Sequence, residues 1–211
     1  MTAITLRQPI TTAEELREII GAPDAPAIKK QIDHLDEHCR QFIALAPLLF
    51  ISSANADGQC DVSPKGDAPG FVHVLDDKLL AIPERAGNRR TDTMRNILAN
   101  PQVGLIFVIP GMRETLRING RATIYRDPEL LEAMTFQGKT PKVAMVIEAQ
   151  EVFLHCGRAL VRSHVWQTAT WPDAAALPSA GQIFADHMQL PEVTCELADE
   201  VLEDHYTTHL Y

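Results

Sequence analysis

The chain has few cysteines, and they are not arranged as a disulfide framework or a zinc site would require. Cys39, Cys60, Cys156 and Cys195 lie far apart and form no C-x-x-C pair. Such spacing is typical of reduced thiols in the cytoplasm. The sequence also lacks an apolar run of membrane-spanning length, and residues 1–10 lack the apolar segment of a signal peptide. We therefore expect a cytoplasmic protein that does not enter the membrane.

Positive charge is also scarce. The 211 residues include 19 Lys and Arg against 28 Asp and Glu, a formal net charge of −9. This balance disfavours a general affinity for nucleic acid or for anionic membranes. A site for a phosphate group would have to be formed locally, by a few basic side chains. The length suits one domain of ordinary size with a substantial core.

Several catalytic and nucleotide-binding motifs are missing, among them G-x-G-x-x-G, the P-loop and the alternating βαβ pattern. What is present is a series of short apolar segments separated by turns, which favours an antiparallel barrel over a parallel sheet. We predict mainly β structure with peripheral helices and six antiparallel strands. These strands are Leu48–Ala54, Gln59–Lys65, Phe71–Leu75, Leu79–Ile82, Val103–Ile109 and Thr115–Tyr125, and a further long strand is expected within residues 142–156.

Helical patterns flank these strands and suggest three segments of one structural domain: an N-terminal helical segment (1–46), a barrel core (47–166) and a C-terminal helical extension (167–211). Thr12 and Glu15 form a capping box for the first helix, which Gly21 ends. A longer helix is predicted from Ile28 to Leu45. On it His34 and His38 are four residues apart, either as a metal pair or, the interpretation we favour, as part of a solvated face.

The most informative stretch runs from Leu80 to Ala122. A turn at Gly87-Asn88 is followed by a predicted helix from Arg89 to Ala99, with Asn88 as its N-cap. Two arginines in the first helical turn oppose the helix dipole unless an anion binds there. Glycine, a small polar cap and two guanidinium groups therefore suggest a phosphate site. The alternative is that both arginines are ordinary solvated surface residues.

An ordered set of residues in this stretch resembles the pyridoxamine 5'-phosphate oxidase-like family of FMN-binding split-barrel proteins. The matching residues are Gly87, Asn88, Arg89, Arg90, Asn100, Pro101, Val103, Phe107, Gly120, Arg121 and Ala122. The similarity extends from about residue 48 to about residue 166. It is strongest to uncharacterised members of the flavin-nucleotide-binding branch and weaker to the true oxidases. The resemblance implies a six-stranded split β-barrel that binds FMN.

The resemblance also implies a set of cofactor-binding positions, and it assigns no catalytic residue and no metal ligand. Basic side chains would hold the FMN phosphate, strand residues would flank the flavin, and Thr115 stands near a position where the true oxidases carry a glutamine. An arginine near the flavin ring corresponds to Arg162. The full set of expected FMN-binding residues is Val62, Ser63, Pro64, Lys65, Ile82, Pro83, Asn88, Arg89, Arg90, Thr115 and Arg162.

The function expected from this resemblance is an FMN-dependent oxidoreductase acting on an unidentified small molecule, with NAD(P)H as a candidate reductant. Two alternatives stay open: a non-catalytic flavin carrier or sensor, and a split barrel that binds haem or a deazaflavin. Haem would need an axial ligand, for which His73, His155 and His164 are available.

A homodimer is expected as well, because the flavin of relatives lies between subunits. Phe107, Ile109 and Leu116 are candidates for the apolar strand face that a second copy would cover. His155-Cys156 follows an apolar run, so we expect a buried, unreactive thiol, with the neighbouring imidazole as an alternative contact to the flavin pocket.

Overall fold

The computed structural model describes residues 4–211 and divides the chain into two compact units. The first unit ends at Ile32, and the second runs from Asp33 to Tyr211. The described part of the first unit, residues 4–32, contains two helices, α1 (Ala13–Ile20) and α2 (Ala25–Lys29). Neither helix has a buried residue.

Helix α1 begins and ends as its sequence predicts. The Thr12 hydroxyl accepts a hydrogen bond from the amide of Glu15 at 3.2 Å. Gly21 follows the last turn at a φ of 86°, in the left-handed region that glycine adopts at little steric cost. The predicted N-cap and the predicted helix end are both confirmed.

The second unit contains one sheet of seven strands, and each pair of neighbouring strands is antiparallel. The sheet has seven strands and not the six of the predicted barrel, because the further long strand expected within residues 142–156 belongs to the same sheet. Their order across the sheet is β2-β1-β5-β6-β7-β4-β3. The strands are β1 (Leu48–Ala54), β2 (Cys60–Gly66), β3 (His73–Val74), β4 (Leu79–Pro83), β5 (Gln102–Val108), β6 (Thr115–Tyr125) and β7 (Ala144–His155).

Six helices accompany this sheet. They are α3 (Glu37–Leu45), α4 (Asp92–Ala99), α5 (Pro128–Ala133), α6 (Arg158–Arg162), α7 (Ala180–Met188) and α8 (Cys195–Thr208). The last two pack against each other where Gly181 approaches the side chain of Asp199. None of the helices within residues 4–211 is long and apolar enough to cross a membrane.

The helix predicted from Ile28 to Leu45 is interrupted, so that prediction is wrong. The chain leaves the helical conformation after α2, and a new helix begins where Asp36 accepts a hydrogen bond from the amide of Cys39 at 2.8 Å. An aspartate in the N-cap position stabilises a helix that begins there, and it would not stabilise a helix that continues through the same position. His34 therefore precedes α3 and pairs with Asp33, so it does not share a helix face with His38.

The core is formed by the inward face of the sheet and by α3. Along β1 every second residue is buried, as expected for a strand with one face in the core. Large side chains that are almost completely buried include Leu35, Ile43, Leu49, Ile51, Leu80, Ile82, Leu105, Phe107, Ile118, Met145 and Ile147. Phe107 and Leu116 thus lie inside this chain, which corrects their assignment to a surface for a second copy.

The sheet curls until its two ends approach each other. Lys65 on β2, the first strand in the order, forms an ion pair of 2.7 Å with Glu84, which follows the sixth strand, β4. Beside it Asp67, just after β2, and Arg85 form a second ion pair of 2.7 Å. The strand order alone would leave these ends far apart. Their approach creates the cavities described below.

A β-bulge at Asn119/Gly120 interrupts the long pairing of β6 with β7. From it we predict how a substitution at Gly120 changes the stability of the fold. A Cβ atom on Gly120 would overlap the backbone carbonyl of Glu148. We expect Gly120→Ala to lower the free energy of unfolding by about 1–3 kcal/mol, the usual cost of overpacking. Chemical denaturation measures this.

Gly87→Ala is the matched control, because nothing lies within 4 Å of the Cβ it would add and its φ is not in the left-handed region. It should change stability by less than about 0.5 kcal/mol. Equal effects of the two substitutions would contradict the close approach at the bulge.

Candidate functional site

A cavity of about 360 Å³ opens where the two ends of the sheet meet. One wall is residues 63–66 of β2, and Phe71 and Pro83 add apolar surface. The remaining wall is the loop of residues 84–91, which connects β4 to α4. The volume lies within the range of small-molecule sites, roughly 300–1,000 Å³.

The loop has an unusual backbone. Arg89 and Thr91 adopt φ values of 62° and 58°, a left-handed conformation that costs residues other than glycine about 1–3 kcal/mol when the structure imposes it. Between them, the Arg90 amide donates a hydrogen bond of 3.0 Å to the Asn88 side chain. Such strain is common at ligand-binding loops.

Helix α4 begins at Asp92 and not at Arg89, so the predicted start is wrong by three residues. Asn88 hydrogen-bonds a backbone amide, but it does so within the loop and not as an N-cap. Arg89 and Arg90 consequently precede the helix and do not oppose its dipole. The first turn contains Asp92 instead, an acidic residue that favours the positive end of the dipole.

The N-terminus of α4 has no side-chain cap. Thr91 precedes the helix, and its hydroxyl makes no capping hydrogen bond. A hollow of about 180 Å³ faces this turn and is also lined by Ser63, Lys65 and Arg90. Amide groups at such a position are donors for an anion.

Three hydrogen bonds between side chains of α4 and of the sheet fix the position of the loop. Thr93 donates to the Ser63 hydroxyl at 3.0 Å, which ties the first turn of α4 to β2. Asn96 donates to Asp61 at 2.8 Å and to Ser53 at 3.1 Å. Ser53, Thr93 and Asn96 are buried, so these bonds are shielded from water and hold the helix start against the strands.

Among the described residues, most basic side chains at the cavity and the adjoining hollow form an ion pair with a carboxylate, and one does not. Lys65 pairs with Glu84 at 2.7 Å, and Arg90 pairs with Asp92 at 2.8 Å. Arg85 pairs with Asp67. Arg89 is different, because within residues 4–211 its exposed guanidinium has no hydrogen bond and no ion pair. It is therefore the cation at this cavity that is most available to an anion.

Asp67 is the centre of a polar network behind the cavity. Its side chain, 1% exposed, accepts from Arg85 at 2.7 Å and from the Tyr211 hydroxyl at 2.8 Å. The hydrogen bond to this carboxylate raises the pKa of Tyr211. Arg85 also donates to the carbonyl of Met134 at 3.0 Å and lies over the Phe136 ring. The network connects the end of β2, the loop and Tyr211.

The structure brings together more than half of the residues predicted to bind the cofactor. Those lining the 360 Å³ cavity are Ser63, Pro64, Lys65, Pro83, Asn88 and Arg89. Arg90 lines the adjoining hollow. That these residues contact FMN stays a prediction.

Four predicted residues line neither that cavity nor the adjoining hollow. The Val62 side chain is 65% exposed, whereas Ile82 is buried in the core. Thr115 is buried at the beginning of β6. Arg162 lies in a separate hollow that Arg113 and other residues line.

Sequence reasoning missed Asp67, Glu84, Arg85 and Thr93. Glu84-Arg85 directly follows Pro83 and precedes Gly87, so the charged pair next to the turn was a signal that could have been used. Asp67 and Thr93 gave no comparable signal, since their roles depend on contacts with residues distant in sequence.

His155 and Cys156 are both exposed, which corrects the expectation of a buried thiol. Cys156 directly follows His155, the last residue of β7, and so lies just outside the sheet. The three histidines considered as haem ligands do not line the 360 Å³ cavity. His73 lines a hollow of only about 110 Å³ next to Arg85.

Comparison with known proteins identifies the family of this chain. The sequence model of the family described as pyridoxamine 5'-phosphate oxidase matches residues 35–156, which is more than half of the chain. The chain belongs to this family. Several solved structures are similar to this chain, whereas no curated protein matches.

Two similar structures illustrate the extent of the likeness. HupZ from Group A Streptococcus is 22% identical, with a TM-score of 0.46, over 56% of this chain and 92% of HupZ. A pyridoxamine 5'-phosphate oxidase assigned by similarity in Lactobacillus delbrueckii is 21% identical, with a TM-score of 0.46, over 58% and 95%.

His73 gives a prediction for pH dependence. Burial, with a smaller contribution from the charge of Arg85, lowers the pKa of His73. As the pH falls through the ordinary value near 6.5, the unfolded chain binds a proton that the folded chain does not. The free energy of unfolding should therefore decrease between pH 7 and pH 5, above the range in which ordinary carboxylates titrate.

His73→Gln should make the stability less dependent on pH in this window. Urea denaturation at several pH values measures the effect for both proteins. Parallel pH profiles for the parent and the variant would contradict the assignment to His73.

Proposed function

We propose that this chain is an FMN-binding split-barrel protein and an FMN-dependent oxidoreductase that acts on a small molecule, with NAD(P)H as a candidate reductant. The observation that carries the proposal is the unpaired Arg89 on a strained loop, next to an uncapped helix start and a cavity of about 360 Å³. Family membership supports the same cofactor class.

The phosphate group would bind at the loop of residues 87–91. The residues present suit a dianion, because Arg89 supplies an uncompensated guanidinium and the first turn of α4 supplies amide donors. Arg90 would contribute by exchanging its partner, Asp92, for the phosphate. Part of the energy gained by Arg90 would be offset by the loss of that ion pair.

The flavin ring would lie along β2. On this strand Ser63 and Pro64 line the cavity. Phe71 and Pro83 add apolar surface for the ring. The pair of Lys65 and Glu84 places a donor and an acceptor where the polar edge of a ring or the ribityl chain could bind. Val62 and Ile82 would take part through their backbone, because their side chains point elsewhere.

FMN, when bound, supplies the electron chemistry, and the protein supplies binding, orientation and exclusion of water. An oxidoreductase and a flavin carrier differ in turnover. Oxidation of NADH or NADPH by the FMN-loaded protein, followed by absorbance, distinguishes the two.

Single arginine variants test the phosphate site. Arg89→Ala should weaken FMN binding at least about tenfold, which corresponds to about 1.4 kcal/mol, because it removes a charge-assisted contact. Arg90→Ala should weaken it less, because the Asp92 pair is already satisfied without ligand. Quenching of flavin fluorescence during titration measures both affinities.

Arg95→Ala is the matched control, since it removes the same charge from an exposed position on α4 outside both cavities. Riboflavin, which lacks the phosphate, should bind weakly to all four proteins and respond little to the substitutions. An unchanged FMN affinity in Arg89→Ala would show that this residue is an ordinary surface arginine.

We also propose a homodimer, formed over the face of the sheet that points away from the core. Strand pairing places Pro64, Phe50, Ile106, Arg117 and Phe153 in one row across five neighbouring strands. None of these side chains is fully buried, and Arg117 lies over the Phe153 ring. A second copy that covers this row would also approach β2, the strand proposed to flank the flavin.

Sedimentation of purified variants tests the dimer. Phe50→Glu, between Pro64 and Ile106 in the row, should convert a dimer into monomers at micromolar concentration, because it places a charge in a desolvated apolar contact. Leu98→Glu, on an exposed part of α4 outside the row, should leave the dimer intact. A parent protein that is monomeric with FMN bound would contradict the proposal.

A further inference from the structure

A second and larger cavity, about 500 Å³, lies on the other side of the 84–91 loop. It shares loop residues such as Arg89 with the first cavity, but its opposite wall is different. That wall consists of residues 139–143, between α5 and β7, together with Tyr211. The volume is sufficient for a small organic molecule.

The charge in this cavity is positive and largely uncompensated. Its single acidic residue, Glu84, is already bonded to Lys65, and Arg85 is bonded to Asp67. Lys139 and Lys142 have no ion pair or side-chain hydrogen bond within the part of the chain described, residues 4–211. In a chain of net charge −9, such a local excess selects an anion.

The rest of the lining is mainly apolar. Met94, Pro141 and Val143 contribute aliphatic surface, and Tyr211 contributes an aromatic side chain. The Tyr211 ring is held in place, because its hydroxyl donates to Asp67 and its centroid lies 5.2 Å from that of Phe136. An occupant would therefore need an apolar body in addition to its charge.

The two lysines indicate which anion fits. An ammonium group is a compact point charge, whereas a guanidinium fork suits bidentate contact with phosphate. The guanidinium of Arg85 is committed to Asp67, and that of Arg89 is assigned above to the FMN phosphate. What remains is two ammonium groups on one short segment, which can donate hydrogen bonds to the two oxygens of a carboxylate.

We propose that this cavity binds a small carboxylic acid with an aromatic or aliphatic body, held by Lys139 and Lys142 and packed against Tyr211. The assignment of this acid as the substrate rests on the proposed function, because only then does it lie beside a flavin. Lys139 and Lys142 lie within the family match at residues 35–156, whereas Tyr211 lies outside it, so only the Tyr211 part of this wall is beyond what the family model describes.

Calorimetric titration of the apo protein tests the site. The two probes are 2-naphthoate and, as its matched control, the neutral 2-naphthalenemethanol. Replacing Lys139 and Lys142 together by Ala should weaken binding of the acid at least tenfold and leave binding of the alcohol unchanged. Tyr211→Ala should weaken both probes. The double substitution Arg95→Ala and Arg126→Ala removes the same charge from exposed positions outside the cavity and should change neither.

Because both lysines are exposed, the double variant should melt at the temperature of the parent. The paired Lys139→Gln and Lys142→Gln variant, which removes the charges and keeps most of each side chain, should weaken binding of the acid to a similar extent. Failure of 2-naphthoate to bind, or equal weakening in the arginine control, would overturn the proposal. So would displacement of 2-naphthoate by FMN, since the cavity would then belong to the cofactor site.

A parallel FMN titration separates this inference from the proposed function. If FMN does not bind the parent but 2-naphthoate binds through the two lysines, the flavin function fails and the acid site stands. If FMN binds normally and 2-naphthoate is indifferent to the lysines, the acid site fails and the flavin function stands.

Discussion

Two ion pairs join the ends of the curled sheet, and the candidate site depends on them. Lys65 with Glu84 and Asp67 with Arg85 connect the edge strand β2 to the residues that follow β4. Without them the strand order would separate these residues by four intervening strands. Since these side chains are largely shielded from water, removing one partner would leave a poorly solvated charge, which costs several kcal/mol in a buried setting.

The loop between these strands and α4 shows how a strained segment is held. Two left-handed residues are costly, and the compensating contacts come from the bonds of Thr93 and Asn96 to the sheet. The helix start is thereby fixed even though no side chain caps it. A loop held in this way presents its backbone amides with little freedom, and such preorganisation lowers the entropic cost of binding an anion.

The sequence predicted the strands better than the loop. The bounds of β1 and β6 agree with the prediction to the residue, because alternation of buried and exposed positions is a local property. The start of α4 was misplaced because Asn88 has the side chain of an N-cap but bonds within the loop. Which of Arg89 and Arg90 is paired was also beyond sequence reasoning, since it depends on which guanidinium reaches Asp92.

The bond between Tyr211 and Asp67 joins residues 144 positions apart in the chain. Contacts between residues so far apart form only after a large loop has closed. Closing that loop costs chain entropy before the contact can stabilise the fold. The wall of the larger cavity should therefore be among the last parts of the molecule to form during folding. It should also be among the first to open in native-state fluctuations, on the time scale that amide hydrogen exchange reports.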